Sequence, residues 1–440
     1  MGAARASLGM AIAMSALVTA CGAGARTAAP SSSPVASQVP GTPLPGVTSR
    51  PSTADATTTL PVPVPVPVSL ASSDVTSSAP DPSSGGAPVT ASTAAPALDL
   101  PPKVVRVPDS IEVSAVAGAR QTGLHSFFHV LSDGRLVDNP PCLDGSSGTC
   151  GTIAILDERT GTRSELQRAP GKGKAFAHHF GSDDRYLAWS SDPGEDLSFT
   201  AWEIWAAPTD GSSPARRIAT APVGADGQPL GTSFIIPRVS NGIVVWSALT
   251  PATPGADATL NVLMAPADGS RPAEVLEAGA VVPDIAWPFV YMQKLDANIR
   301  PIQTLRIDLS DGSRRVLSKL PQPCYVRAAR SRILCAVNGA GGDLYVADLD
   351  GNPLIDVKQG AGRLISWPEI GDRAVVWDDQ NGAVLLDLND LSIRYLTVLP
   401  NAVTVGAKGA FVWWAWSPDP NQTPSSANTA RSVVELAAAP

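Results

Sequence analysis

Histidine is scarce in this chain, with four residues among 440. Few imidazoles are therefore on hand for acid–base work or metal ligation near neutral pH. Lysine is scarce too, 7 residues against 25 arginines. The net charge is −8 and the pI about 5.1, which argues against a basic nucleic-acid-binding face. The five cysteines form no C-x-x-C spacing, so the common redox and zinc patterns are missing. There is no G-x-S-x-G elbow, no Walker loop and no H-E-x-x-H. No apolar run reaches the roughly 20 residues that a bilayer-crossing helix needs. Aromatic side chains are absent until Phe127.

The first apolar run follows a weakly basic head holding Arg5 and covers about 15 residues, 6–20. That length is too short for a membrane span and suits the core of a secretory signal. Its end, Val18, Thr19, Ala20, Cys21, resembles the bacterial lipobox. The resemblance implies that residues 1–20 are a signal peptide and that Cys21 becomes the lipidated first residue. It places the protein outside the cell, anchored to the outer face of the cytoplasmic membrane and reaching into the envelope. The alternative is an ordinary signal peptide cut nearby. With Cys21 lipidated, four cysteines remain as two local pairs, Cys142 with Cys150 and Cys324 with Cys335. An exported chain meets oxidising conditions, so both pairs are candidate disulfides. Other pairings of the four stay open.

Residues 21–102 are rich in Ser, Thr, Pro and Ala, with 16 prolines after residue 21 and no aromatic. Such a segment buries too little apolar surface to offset the entropy of ordering, and reads as a disordered tether. The stretch PVPVPVPV at 61–68 is a polyproline-like rod. As a flexible coil of about 80 residues the tether would average roughly 50 Å end to end, more where proline stiffens it. Its composition also suits O-glycosylation.

From residue 103 to 440 the composition changes, and all 23 aromatics lie there. A short apolar burst recurs: RYLAW (185–189), GIVVW (242–246), WPFVY (287–291), RILCA (332–336), RAVVW (373–377) and GAFVW (409–413). SFFHV (126–130) is a degenerate copy. From Val130 to Trp413 the spacing averages about 47 residues. A second strand and a turn follow, as in NVLMAPADGSRPAEV, with tips at Asp210-Gly211, Asp268-Gly269, Asp311-Gly312 and Asp350-Gly351. Asp-Gly supplies the positive φ of tight hairpins. β-rich units of this length, repeated about seven times, predict an all-β propeller of four-stranded blades, with six to eight blades compatible. The last unit is short, and KVVRV or SIEVSAV within 103–116 is expected to complete it. A pair of β-sandwiches is the rival architecture. The burst, the strand and the DG…RR(I/L) ending resemble the TolB-type propeller repeat, which implies a protein-binding platform.

Candidate site residues are few. His125 and His129 fall on one face of a strand, and with His178 or His179 would form the only histidine metal site available. Asp192, Glu195 and Asp196 in one loop, and Asp378 and Asp379 in another, are oxygen donors of the kind calcium prefers. Trp414 and Trp416 share a strand face opposite Trp413; they would stack sugars or, in a propeller, pack between blades. No cofactor and no catalytic residue is expected, a divalent metal being the one candidate. The leading expectation is a monomeric, non-catalytic surface protein that docks an envelope protein or wall polymer and binds no nucleic acid. The competing expectation is a propeller hydrolase or lyase acting on envelope glycan or a small metabolite.

Overall fold

The computed structural model describes residues 101–437 except 110–112, 114–115, 123–126, 139–151, 168–175, 193–200, 225–226, 232–234, 252–256, 338–341, 360–364, 380, 398–401 and 417–429. The chain divides into units 1–92 and 93–440, and all described residues lie in the second. Every regular element among them is a β-strand. The strands form seven sheets, each with a core of four: blade 1 (127–167), blade 2 (176–220), blade 3 (238–278), blade 4 (280–316), blade 5 (325–358), blade 6 (366–397) and blade 7 (402–435). The first strand of each blade lies innermost. It touches the first strand of the next blade, and blade 7 touches blade 1, so the ring is closed. The fold is a seven-bladed β-propeller.

The N-terminal segment works along the outside of the ring. Lys103–Arg106 adds a fifth strand, parallel to Pro353–Lys358 at the edge of blade 5. Val113 makes a single parallel bridge to Tyr395 in blade 6. Arg120–Gln121 then pairs with Ala430–Glu435 and completes blade 7. The closing strand is thus not KVVRV or SIEVSAV but Arg120–Gln121, which lies beyond both. The chain must pass directly from blade 7 into blade 1, so the segment nearest Phe127 takes the vacant edge.

Recurring tryptophans form the inter-blade core. Trp189, Trp246, Trp377 and Trp414 occupy one register position in the second strands of blades 2, 3, 6 and 7. Each packs on the preceding blade: Trp246 lies with Ala188 and Ile204, and Trp377 with Leu334 and Val346. A buried indole removes roughly 150–250 Å² from water, about 4–6 kcal/mol at 25 cal/mol per Å². Met292 and Cys335 hold the same position in blades 4 and 5 and also pack backwards. Within GAFVWW it is Trp414, not Trp413, that matches Trp246. Trp413 faces the other way, onto Val130 and Leu136 of blade 1. The described tryptophans of this stretch are therefore packing residues.

Hairpin tips follow the expected chemistry. Gly269 has φ +65°, and the Asp268 carboxylate accepts the Ser270 N–H at 2.9 Å. At the tip without glycine, Leu391 takes the left-handed conformation instead, with φ +62°.

Candidate functional site

One position in the innermost strand recurs around the axis. Hairpin register aligns His129, Gly181, Arg238, Asp284, Arg327, Glu369 and Gly406, from blades 1 to 7 in order. Blades 3 to 6 therefore present Arg, Asp, Arg, Glu to the channel. Glu369 Oε1 accepts from Arg238 Nη2 at 2.7 Å and from Arg327 Nε at 3.0 Å. Asp284 Oδ2 lies 3.8 Å from Arg238 Nε and 4.0 Å from Arg327 Nη1, and accepts the Ala328 N–H at 3.2 Å. Blades 3 and 6 are not neighbours, so the Arg238–Glu369 pair reaches across the channel. Arg327 is 1 % exposed. Two cations and two carboxylates balance here, the condition under which buried charge is tolerated.

The environment shifts these groups in opposite directions. Burial raises the Asp284 carboxyl, and Arg238 and Arg327 offset this only in part. Burial also acts to raise Glu369, but its two arginines outweigh that and hold it low. Burial, then the neighbouring Arg238, brings Arg327 down to about 10.

Above this floor is a bowl of about 310 Å³ at the mouth formed by the first turn of each blade. It exists because the next inward-facing position is small in four successive blades: Ser240, Ala286, Ala329 and Gly371. Gly371 is also required by packing, since a Cβ there would lie 2.7 Å from the Gly409 carbonyl oxygen. At the same level stand two charges. Asp183 accepts the backbone N–H groups of Arg185, Tyr186 and Gly242 at 2.7–2.8 Å. Lys408 has no hydrogen bond or ion pair among the described residues. Burial, with Arg238 adding to it, lowers the Lys408 ammonium below its usual range, although Asp284, Asp183 and Asp372 act against this. At the rim, Arg330 of blade 5 reaches across to Asp184 of blade 2 at 2.9 Å, and Ser132 donates to the same carboxylate at 2.6 Å. Asp372 and Trp287, the latter 42 % exposed, complete the rim.

Of the described residues singled out in the sequence, His129 belongs to the axial ring and the others lie away from it. His129 is buried at the axis, 2.8 Å from Ser182 Oγ and edge-on to Trp413. Burial, then Lys408 and Arg238, holds it well below the usual imidazole range. His178 and His179 lie on the inner strand Phe176–Ser182 of blade 2, with His179 at φ +43° in a bulge. His125 lies outside the described residues, as do Cys21, Cys142, Cys150, Glu195 and Asp196. Among the described residues no three His, Cys, Asp or Glu side chains form a metal-binding group. Asp379 is buried and accepts from the Tyr395 hydroxyl and the Asn381 N–H, as a turn residue does. Cys324 and Cys335 are adjacent, with Cα atoms 5.5 Å apart, a pair compatible with a disulfide inside blade 5.

Apart from His129, the axial ring escaped the sequence reading because its members share no residue type. The signal was positional: each lies seven residues before the second-strand residue it pairs with in blades 2 to 7.

No protein-family model matches the chain, and no curated protein matches its sequence. Several solved structures resemble it. The propeller domain of the Trilobed protease from Pyrococcus furiosus is 12 % identical at TM-score 0.40, covering 68 % of this chain and 91 % of that one. An oligogalacturonate lyase from Vibrio parahaemolyticus is 10 % identical at TM-score 0.44, covering 70 % and 89 %. Pyrococcus horikoshii acylaminoacyl peptidase is 11 % identical at TM-score 0.41, and this chain covers 64 % of itself but 46 % of that protein, about half its length. The likeness is one of fold and says nothing about activity.

Proposed function

We propose that this chain is an exported lipoprotein whose TolB-like propeller binds an envelope protein at the axial bowl and carries out no chemistry there. Cys21 anchors it to the membrane, and residues 21–102 hold the propeller away from the surface. The observation that carries the reading is the state of three carboxylates in and beneath the bowl, Asp183, Asp184 and Glu369. Asp183 is saturated by three backbone N–H groups, and Asp184 is engaged by Ser132 and Arg330. Beneath them Glu369 is held ionised between two arginines. Groups committed in this way make a rigid, charged recognition surface and poor proton shuttles.

The test is cross-linking on living cells that express tagged full-length protein, read by mass spectrometry. One dominant protein partner, retained by Cys21→Ala but lost when residues 103–440 are deleted, supports the reading. Recovery of wall polymer in place of protein moves the reading to glycan binding. Turnover of envelope glycan fragments by the purified chain overturns it in favour of a propeller hydrolase or lyase. The anchor is checked separately: globomycin shifts the size of the wild-type chain and leaves Cys21→Ala unchanged.

A further inference from the structure

One cation in the bowl, Lys408, makes no hydrogen bond or ion pair among the described residues. Lys408 shares an inward face with Gly406 two residues earlier, and Gly406 has no side chain to partner it. The cations around it are no better supplied. Arg238 Nε and Arg327 Nη1 are buried without a hydrogen-bond acceptor. Arg238 and Arg327 share the two buried carboxylates, Asp284 and Glu369, which leaves Lys408 near Asp183 and Asp372 but ion-paired to neither. An ammonium that lines a concave site with no acceptor in contact can bind an incoming anion through a charge-assisted hydrogen bond.

We propose that the bowl receives a single carboxylate, bound by Lys408 Nζ. This rests on the binding reading above and names the ligand chemistry of the same site. A carboxylate fits better than a phosphate. Lys408 offers a single ammonium, and Asp183 on the wall and Asp372 on the rim repel a dianion more strongly than a monoanion. The volume, about 310 Å³, is at the small end for ligand pockets and suits a terminal group rather than a whole chain. Ser240 adds a neutral polar group to the wall, and exposed Trp287 offers an apolar face for whatever carries the acid.

The test is the rate at which Lys408 of the purified full chain is acylated by an amine-reactive reagent, followed by peptide mapping. The chain has 7 lysines, so each is read separately. The probes are acetate, glucuronate, N-acetyl-dialanine, its C-terminal amide, and inorganic phosphate. The expected result is that at least one carboxylate slows Lys408 labelling at least about fivefold, a protection set by site occupancy. Lys103 and Lys319 keep their rates, and the amide does nothing. Protection by acetate identifies a free-acid site, by glucuronate alone a sugar acid, and by N-acetyl-dialanine alone a chain terminus. In calorimetry Lys408→Gln loses the heat of binding and Lys408→Arg keeps it. The proposal is overturned if no carboxylate protects Lys408, if phosphate protects as well as any carboxylate, or if Lys408→Gln binds like wild type. A cross-linked partner that persists in Lys408→Gln sinks the carboxylate assignment and leaves the binding reading standing. Absence of any partner in the wild type removes the reading itself.

Discussion

Replacing Glu369 by leucine tests whether the axial charges are held by mutual compensation. Among the described residues, Glu369 is the only carboxylate within 3.0 Å of either arginine. Without it, Arg238 and Arg327 share Asp284, whose Oδ2 lies 3.8 and 4.0 Å away. Arg327 has no route to water, being 1 % exposed. Removing one partner of a buried ion pair costs about 3–5 kcal/mol, and Glu369→Leu should fall in that range. Arg327→Leu alone should cost a similar amount, because it leaves two carboxylates on one arginine. The double variant Arg327→Leu/Glu369→Leu returns the cluster to one pair, Arg238 with Asp284. It should cost less than either single variant, by about 1–3 kcal/mol, since replacing a buried pair by apolar groups is often close to neutral. The assay is equilibrium unfolding in urea followed by tryptophan fluorescence, with unchanged m-values as the check on comparability. A double variant that costs the sum of the two singles would refute the reasoning, as would a Glu369→Leu loss below about 1 kcal/mol.

Other outcomes follow from the same geometry. His129 is held neutral in the folded state, below its ordinary 6.5, so the unfolded chain takes up a proton that the folded chain refuses. Its contribution is present above pH about 6.5 and is lost as pH falls, at up to about 1.4 kcal/mol per pH unit. The stability difference between wild type and His129→Gln should therefore narrow between pH 7.5 and 5.5, about the range over which imidazole titrates; a difference independent of pH would contradict this. Gly406→Ala would put a methyl 2.1 Å from the Trp413 ring, and should cost about 1–3 kcal/mol and alter the near-ultraviolet circular dichroism. Cys324 and Cys335 are separated by 11 in sequence, and closing a loop of that size stabilises by about 3 kcal/mol. Cys324→Ala/Cys335→Ala should lose roughly that much under oxidising conditions and nothing further on addition of reductant.

Much of the architecture was legible because a propeller repeats. The apolar bursts and Asp-Gly tips are local signals, since strand alternation and positive φ depend on neighbours in sequence. Those signals gave seven four-stranded units and the direction in which tryptophans such as Trp246 and Trp377 are buried. Closure of the ring was expected, but the strand that closes it was not. Any β-capable segment near the start could pair, and the choice fell to Arg120–Gln121 by the short path into blade 1. WPFVY was read one residue out of phase, because Tyr291 sits where blade 3 has Val245 and the large residue in the Trp246 position is Met292.

The site was not legible, for a different reason. Arg238, Asp284, Arg327 and Glu369 are spread over 131 residues, and none belongs to a motif. Each is an ordinary charged residue in an ordinary strand until the ring brings the four together. Pairing across a channel depends on which blades face one another, and that depends on blade number and closure. The same holds for Lys408: its lack of a partner is a property of Gly406, Gly371 and Ala329 around it. Sequence alone determined the β-repeat, its turns and its apolar faces, because these are set by residues next to one another in the chain. Tertiary structure alone decided which charges are paired and that Lys408 is not among them, because buried electrostatics depends on distances that only the closed ring defines.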